Sequence, residues 1–401
     1  MAVGRFIYLD YCATHPLDEV VREAMMATLN AKFGHPGSRA HRKGWEAEAI
    51  MDRARASVAT LIGSKNSEVV FTSGGTESCV MAIVGAAKQL TNKGCHLVTS
   101  AVEHPAVRDT HLALEKEGFE ITWVGVDEAG RVRATDVADA IRSDTTLVTI
   151  QLANHETGCL QPVQEIGDVC RDQNVWFHVD ACLGMDTIQL DVDAMPIDLL
   201  SMTAHKMSGP KGIGALYVRR RDPRVTLMPL LGAGGQERGR RGGTPNLPGI
   251  AGLGAAADLV SSTREQQLDS RTRLQSIFEQ ALCAIEGAAM LSPPQERLAG
   301  VTNISFSGVT AEALLMGVSE VAFSSGAACA SANLTPSHVL AAMNVPEARR
   351  EGSVRFSIGR ETTEDELREA ADRIALEVGR LQALDVREKK DHAVSTPGGS
   401  Q

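Results

Sequence analysis

Short apolar runs alternate along the chain with longer stretches in which apolar residues recur every three to four positions. The short runs are Glu68–Thr72, His96–Ser100, Ile121–Val126, Thr146–Gln151, Val175–Val179, Asp198–Met202 and Gly214–Val218. Runs of this length, rich in β-branched residues, predict strands. Residues 38–63 predict a helix with Ser38 as N-cap and Gly63 as its stop, and a second helix opens at Thr76 after Gly74-Gly75. Strand–helix alternation of this kind predicts an α/β fold on a mostly parallel sheet. Ligands of such sheets bind beyond the carboxyl ends of the strands, so the chemistry is expected just after these runs.

The pattern changes after Gly242. Asn246–Val260 is rich in Ala, Gly and Leu, and Ser262–Ile285 reads as a charged helix. From about Gly300 a second, smaller α/β unit is expected, closing with a helix over Thr363–Leu384. The expected organisation is a large domain over residues 15–260 and a small C-terminal α/β domain over 261–388 joined by residues 1–14. A disordered tail is expected over 389–401, which contains Pro-Gly-Gly.

Composition narrows the function classes. A 401-residue chain with 43% hydrophobic residues can bury a large core, which argues against global disorder. Its net charge of −10 argues against nucleic acid or an anionic membrane as the main partner. No apolar run reaches the ~20 residues of a membrane helix. The N-terminal residues do not read as a secretory signal, so a cytoplasmic location is expected. The eight cysteines form no C-x-x-C pair, so no metal site of that design is expected.

Five segments carry candidate chemistry. Phe71-Thr-Ser-Gly-Gly-Thr-Glu-Ser78 runs from a strand into a hydroxyl-rich turn that opens a helix, which suits a phosphate cradle or a plain N-cap at Ser73 or Thr76. Asp180 ends an apolar strand, where it would pair with a protonated ring nitrogen or cap a helix. Lys206 follows the next strand, in a Gly/Pro-rich loop where desolvation would free its amine as a nucleophile. A cradle, an Asp and a Lys in that order suggest pyridoxal phosphate (PLP), with Lys206 as the Schiff-base lysine. Cys329 lies among small residues in Ser324-Ser-Gly-Ala-Ala-Cys-Ala-Ser-Ala332, either as a reactive thiol or as a packed small side chain. Arg355 alternates with apolar residues in Val354-Arg-Phe-Ser-Ile-Gly-Arg360, where it would clamp a carboxylate or form a structural ion pair.

With these motifs the chain resembles the NifS/IscS-type cysteine desulfurases of the class V aminotransferase family. The matching segments include YLDYCATHP (8–16), HPGSRAH (35–41), FTSGGTES (71–78), EHPAV (103–107), NHETG (154–158), HVDA (178–181), AHKMSGPKGIGALYVRR (204–220), GGQERGRRGGT (234–244), SSGAACASANLTPSHVL (324–340) and VRFSIGR (354–360). The resemblance implies a PLP-dependent transferase of fold type I. It implies Lys206 as the covalent anchor of PLP, Asp180 on the ring nitrogen and His104 stacked on the ring. Gly75, Thr76, Thr203 and His205 would hold the phosphate, and Thr244 would reach it from the partner subunit of a homodimer. Arg355 would hold the substrate carboxylate, with His35 on the substrate side and His155 beside the cofactor. Cys329 would take sulfur from L-cysteine, leaving L-alanine, and pass it as a persulfide to an acceptor protein such as an iron–sulfur scaffold or a thiolation protein.

The chain departs from the family pattern at His155 (usually Asn), Leu183 (usually Gln), His35 (usually Asn) and Cys79-Val80. His155 is expected to replace a donor while adding a group that titrates near neutral pH. Leu183 offers no hydrogen bond. The alternative to a desulfurase is a PLP-dependent lyase of the same family acting on another amino acid, by selenocysteine lysis, β-elimination or desulfination.

Overall fold

The computed structural model describes residues 6–222, 224–232, 234–325 and 337–394, with side chains through residue 384. Its strands are β1 (Ile7–Tyr8), β2 (Val69–Thr72), β3 (His96–Ser100), β4 (Glu120–Val124), β5 (Thr145–Gln151), β6 (Trp176–Asp180), β7 (Leu199–Thr203), β8 (Gly214–Val218), β9 (Ala288–Met290), β10 (Val301–Phe306), β11 (Val321–Ala322), β12 (Ser324–Ser325) and β13 (Ser353–Ser357).

All seven runs read from the sequence are strands of one sheet, in the order β2-β8-β7-β6-β5-β3-β4. The pairs among β3 to β7 are parallel, and β8 runs antiparallel to both of its neighbours. Strands β5, β7 and β8 are buried throughout, as expected where helices cover both faces of a sheet. The sheet core joins Val148, Ile150, Phe177, Val179, Leu200 and Met202 to Val58 and Ile62 of the helix Arg42–Leu61. A second, antiparallel sheet has the order β12-β13-β10-β9, and β1 pairs in parallel with β11 beside it. Its core packs Ile7 and Leu9 against Phe278, Ile304, Phe306, Val354 and Phe356.

Three element boundaries differ from expectation. The helix expected from Ser38 starts at Arg42 and is capped by His41, whose side chain accepts from the Gly44 N–H. Ser38 instead donates its N–H to the His35 carbonyl in the preceding turn. Gly63 does stop that helix: at φ 69° it lets the Ser64 N–H reach the Ala59 carbonyl at 2.9 Å. The two segments expected after Gly242 form a single helix, Leu247–Cys283, capped by Asn246. The compositional change within it is a change of neighbours. Ile250, Leu253 and Val260 enter the large-sheet core, whereas Leu274, Phe278 and Leu282 enter the second core. The C-terminal helix runs over Glu364–Val394, well into the expected disordered tail. Residues 388–394 are mostly helix formers, and the first breaker is Pro397. Among the described residues no helix is long and apolar enough to cross a membrane.

Candidate active site

The carboxyl ends of β2, β6 and β7 converge on one place. After β2 the chain turns through Gly74 into the helix Gly75–Gln89, which starts without a side-chain cap. Its first N–H groups therefore point into solvent with the positive end of the helix dipole behind them. A cavity of about 410 Å³ lies on that end, lined by Gly75, Thr76, Thr203 and His205 together with Thr14 and Lys211. Four of the five phosphate-binding residues expected from the sequence thus share one wall. His205 Nδ1 meets the Thr14 hydroxyl at 3.2 Å, and burial followed by Lys206 and Lys211 pulls the imidazole down to about 4, so it stays neutral.

Asp180 is buried at the end of β6, and its Oδ1 accepts the Cys182 N–H at 2.9 Å. Lys206 is half-buried in the short turn Ala204–Lys206 that follows β7. His104 caps the helix Pro105–Lys116, with Nδ1 accepting from the Ala106 N–H at 3.1 Å. That bond leaves the neutral ring's proton on Nε2. Burial, offset in part by Asp180, holds His104 at about 4. A neutral ring is therefore available for stacking at physiological pH.

Arg355, on β13 of the second sheet, reaches back to this place. Its Nη1 donates to the His155 carbonyl at 2.6 Å and its Nη2 to Asp10 Oδ1 at 2.8 Å. The His155 ring stands edge-on to His104, with centroids 5.0 Å apart. Its Nδ1 is buried without a partner. The expectation that His155 titrates near neutral pH is overturned. Burial, and then His104 and Arg355, hold its pKa well below the usual value. Leu183 packs against Cys12, Ala153, Leu298 and Val301, as its side chain dictates.

Three expected residues are not gathered here. Thr244 is exposed and lines a neighbouring cavity of about 260 Å³ that shares Ser73 and Gly212 with the first. His35 is exposed, and its Nδ1 accepts the Gly37 N–H. Cys329 lies outside the described residues. Ser337, just beyond that segment, donates to Glu156 Oε2 at 2.5 Å, and His338 Nε2 meets the Glu103 carbonyl at 3.0 Å.

Several contributors had no assigned role in the sequence reading. Burial drives Glu103 and Glu156 up to about 8, so both carboxyls are protonated at pH 7. Cys12 is buried with its thiol pushed up by desolvation, against the pull of Arg355 and Lys206. Glu103, Glu156, Cys12 and Thr14 all fall inside matching motifs. Their identity was visible, but their burial was not.

Comparison with known proteins agrees with this geometry. The aminotransferase class-V family model matches residues 7–369. The IscS cysteine desulfurase of Neisseria meningitidis serogroup C / serotype 2a is 44% identical over 384 residues, covering 96% of this chain and 95% of that protein. Among solved structures, a NifS-like protein superposes with a TM-score of 0.87 at 32% identity, covering 92% of this chain and 98% of the other. A structure described as SspA in complex with cysteine gives 0.78 at 37% identity, covering 88% and 98%. The chain belongs to the class-V aminotransferase family, and within it to the group that holds the cysteine desulfurases.

Proposed function

We propose that this protein is a PLP-dependent cysteine desulfurase that converts L-cysteine to L-alanine and holds the sulfur on Cys329. One observation carries the reading. An uncapped helix start after β2, a buried carboxylate at the end of β6, and a lysine just after β7 lie at the same end of one sheet, in a chain 44% identical to IscS desulfurases.

The residues fit the cofactor. The N–H groups opening at Gly75, with Thr76, Thr203 and His205, suit a phosphate dianion. Lys206 would anchor the cofactor, Asp180 would pair with its ring nitrogen, and neutral His104 would cover its face. When bound, PLP supplies an electron sink that acidifies Cα of an amino acid.

The chain's own residues do the rest. Arg355, held by Asp10 and the His155 carbonyl, would orient the substrate carboxylate. The Lys206 amine, once free, would carry the Cα proton. The buried, neutral set of His104, His155, Glu103 and Glu156 keeps competing charge away from that proton transfer. The Cys329 thiolate would form the S–S bond to the substrate sulfur as its Cβ–S bond breaks. The carbon skeleton then leaves as alanine, and the persulfide passes to an acceptor protein.

We further propose a symmetric homodimer in the cytoplasm. Thr244 and His35, exposed on their own protomer, would act across the two-fold axis. Phe33 and Trp45, 69% and 55% exposed, support an uncovered apolar surface near His35.

The test is product analysis with L-cysteine. The wild type should give alanine and sulfide in the presence of a thiol reductant, and Cys329→Ala should lose both. Pyruvate formed equally by the two proteins would assign β-elimination instead.

A further inference from the structure

The chemistry proposed above uses Asp180 but gives no task to two thiols beside it. Cys79 lies one turn into the helix Gly75–Gln89, and Cys182 follows Asp180 by two residues. Their sulfur atoms and a carboxylate oxygen of Asp180 all lie within 4.8 Å of one another. Cys79 and Asp180 are buried and Cys182 is half-buried. The Ser201 side chain stands beside Cys79 and acts on its thiol. The Ser201 hydroxyl is held in turn by His178 Nε2 at 2.8 Å. Cys182 is seated against the opening of the helix, where a Cβ at residue 75 would stand 2.4 Å from its sulfur.

A pair of cysteines packed only as small hydrophobes belongs in an apolar core. Cys79 does pack in the apolar core with Val70, Ile83 and Leu216, with Cys182 against its edge, but the pair also flanks the Asp180 carboxylate at the end of β6, which apolar packing does not call for. Tetrahedral zinc, with bonds of about 2.3 Å to sulfur and about 2.1 Å to oxygen, holds its ligand atoms roughly 3.5–3.8 Å apart. The cluster reaches that spacing by closing about an ångström, within the reach of side-chain rotation. Two thiolates select soft cations over magnesium or calcium. Gly75, which abuts the Cys182 sulfur, also lines the neighbouring cavity, from which a water would fill the fourth position.

We propose that Cys79, Asp180 and Cys182 form a binding site for a soft divalent cation of the zinc class, and that the cation and PLP exclude each other because both require the Asp180 carboxylate. The exclusion rests on the cofactor reading given above; the cation site does not. Coordination releases the thiol protons to solvent. Sequence spacing hid the site, because its ligands come from a helix and a strand end about a hundred residues apart in the chain.

The test uses the full-length protein stripped of PLP and titrated with Co²⁺. One equivalent should produce sulfur-to-cobalt charge-transfer bands and tetrahedral visible bands. PLP should abolish them, and bound Co²⁺ should weaken PLP uptake by the same factor, as linkage requires. The double variant Cys79→Ala/Cys182→Ala should bind Co²⁺ at least tenfold more weakly while still taking up PLP, which shows that it is folded. Bands that persist in the double variant would place the metal on other cysteines and overturn the site. Absence of bands in the wild type would do the same, and independent binding of Co²⁺ and PLP would overturn the exclusion. If neither protein takes up PLP, the cofactor reading and the exclusion fail together. Cobalt bands lost in the double variant would still establish the cation site.

Discussion

Around Lys206, burial decides charge more than residue type does. His104 and His155 stay neutral because desolvation disfavours their cationic forms, and Glu103 and Glu156 stay protonated for the matching reason. Since His155 does not titrate near neutrality, His155→Asn, which puts another side-chain donor at this position, should leave the limbs of the pH–rate profile between pH 6 and 8 in place. A limb displaced by a full unit would show that His155 does ionise. Glu103 gives a stability prediction. Its carboxyl sits at about 8 in the folded chain against 4.5 ordinarily, so the folded state binds the proton more tightly. The contribution is fully present below 4.5 and is lost as pH rises toward 8. Thermal unfolding of Glu103→Gln should therefore gain on the wild type from pH 5 to pH 8; parallel curves would contradict the assignment. None of this was readable beforehand. His155 and Glu103 stood in recognisable motifs, but their charge states come from neighbours on other elements.

At the scale of elements, one buried pair ties the 234–244 loop to β2. Arg55 donates from both Nη atoms to Glu237, at 2.8 and 2.9 Å, and Glu237 also accepts the Phe71 N–H at 3.0 Å. Glu237→Ala would leave Arg55 buried and uncompensated. It should cost about 3–5 kcal/mol and release the loop that carries Thr244. Chemical denaturation measures the cost; a loss below about 1 kcal/mol would show that the pair is dispensable. The helix opening at Gly75 gives a sharper test. Gly75→Ala brings a Cβ onto Cys182 Sγ and should destabilise by about 1–3 kcal/mol and weaken PLP retention. Adding Cys182→Ala should restore most of that loss, and failure to restore it would place the conflict elsewhere. Element types were legible, because the strand runs and the Gly63 stop are local signals. The antiparallel direction of β8 and the continuity of Leu247–Cys283 were not, because both depend on partners distant in sequence.

For the whole molecule, two sheets meet so that Arg355 from the second faces the strand ends of the first. The order of motifs along the chain made this convergence readable, since Asp180 and Lys206 follow adjacent strands. What order cannot show is a residue that acts between two copies, as proposed for Thr244. Sedimentation should find a dimer, and Thr244→Ala should weaken PLP retention in it. A monomer that keeps full activity would remove that proposal. The central claim is that sulfur leaves cysteine for Cys329. A single turnover of the purified protein with L-cysteine, digested without reductant and read by mass spectrometry, tests it directly. The account predicts a gain of about 32 Da, one sulfur atom, on the Cys329 peptide, matched by alanine. An unmodified Cys329 peptide beside stoichiometric alanine or pyruvate would contradict it.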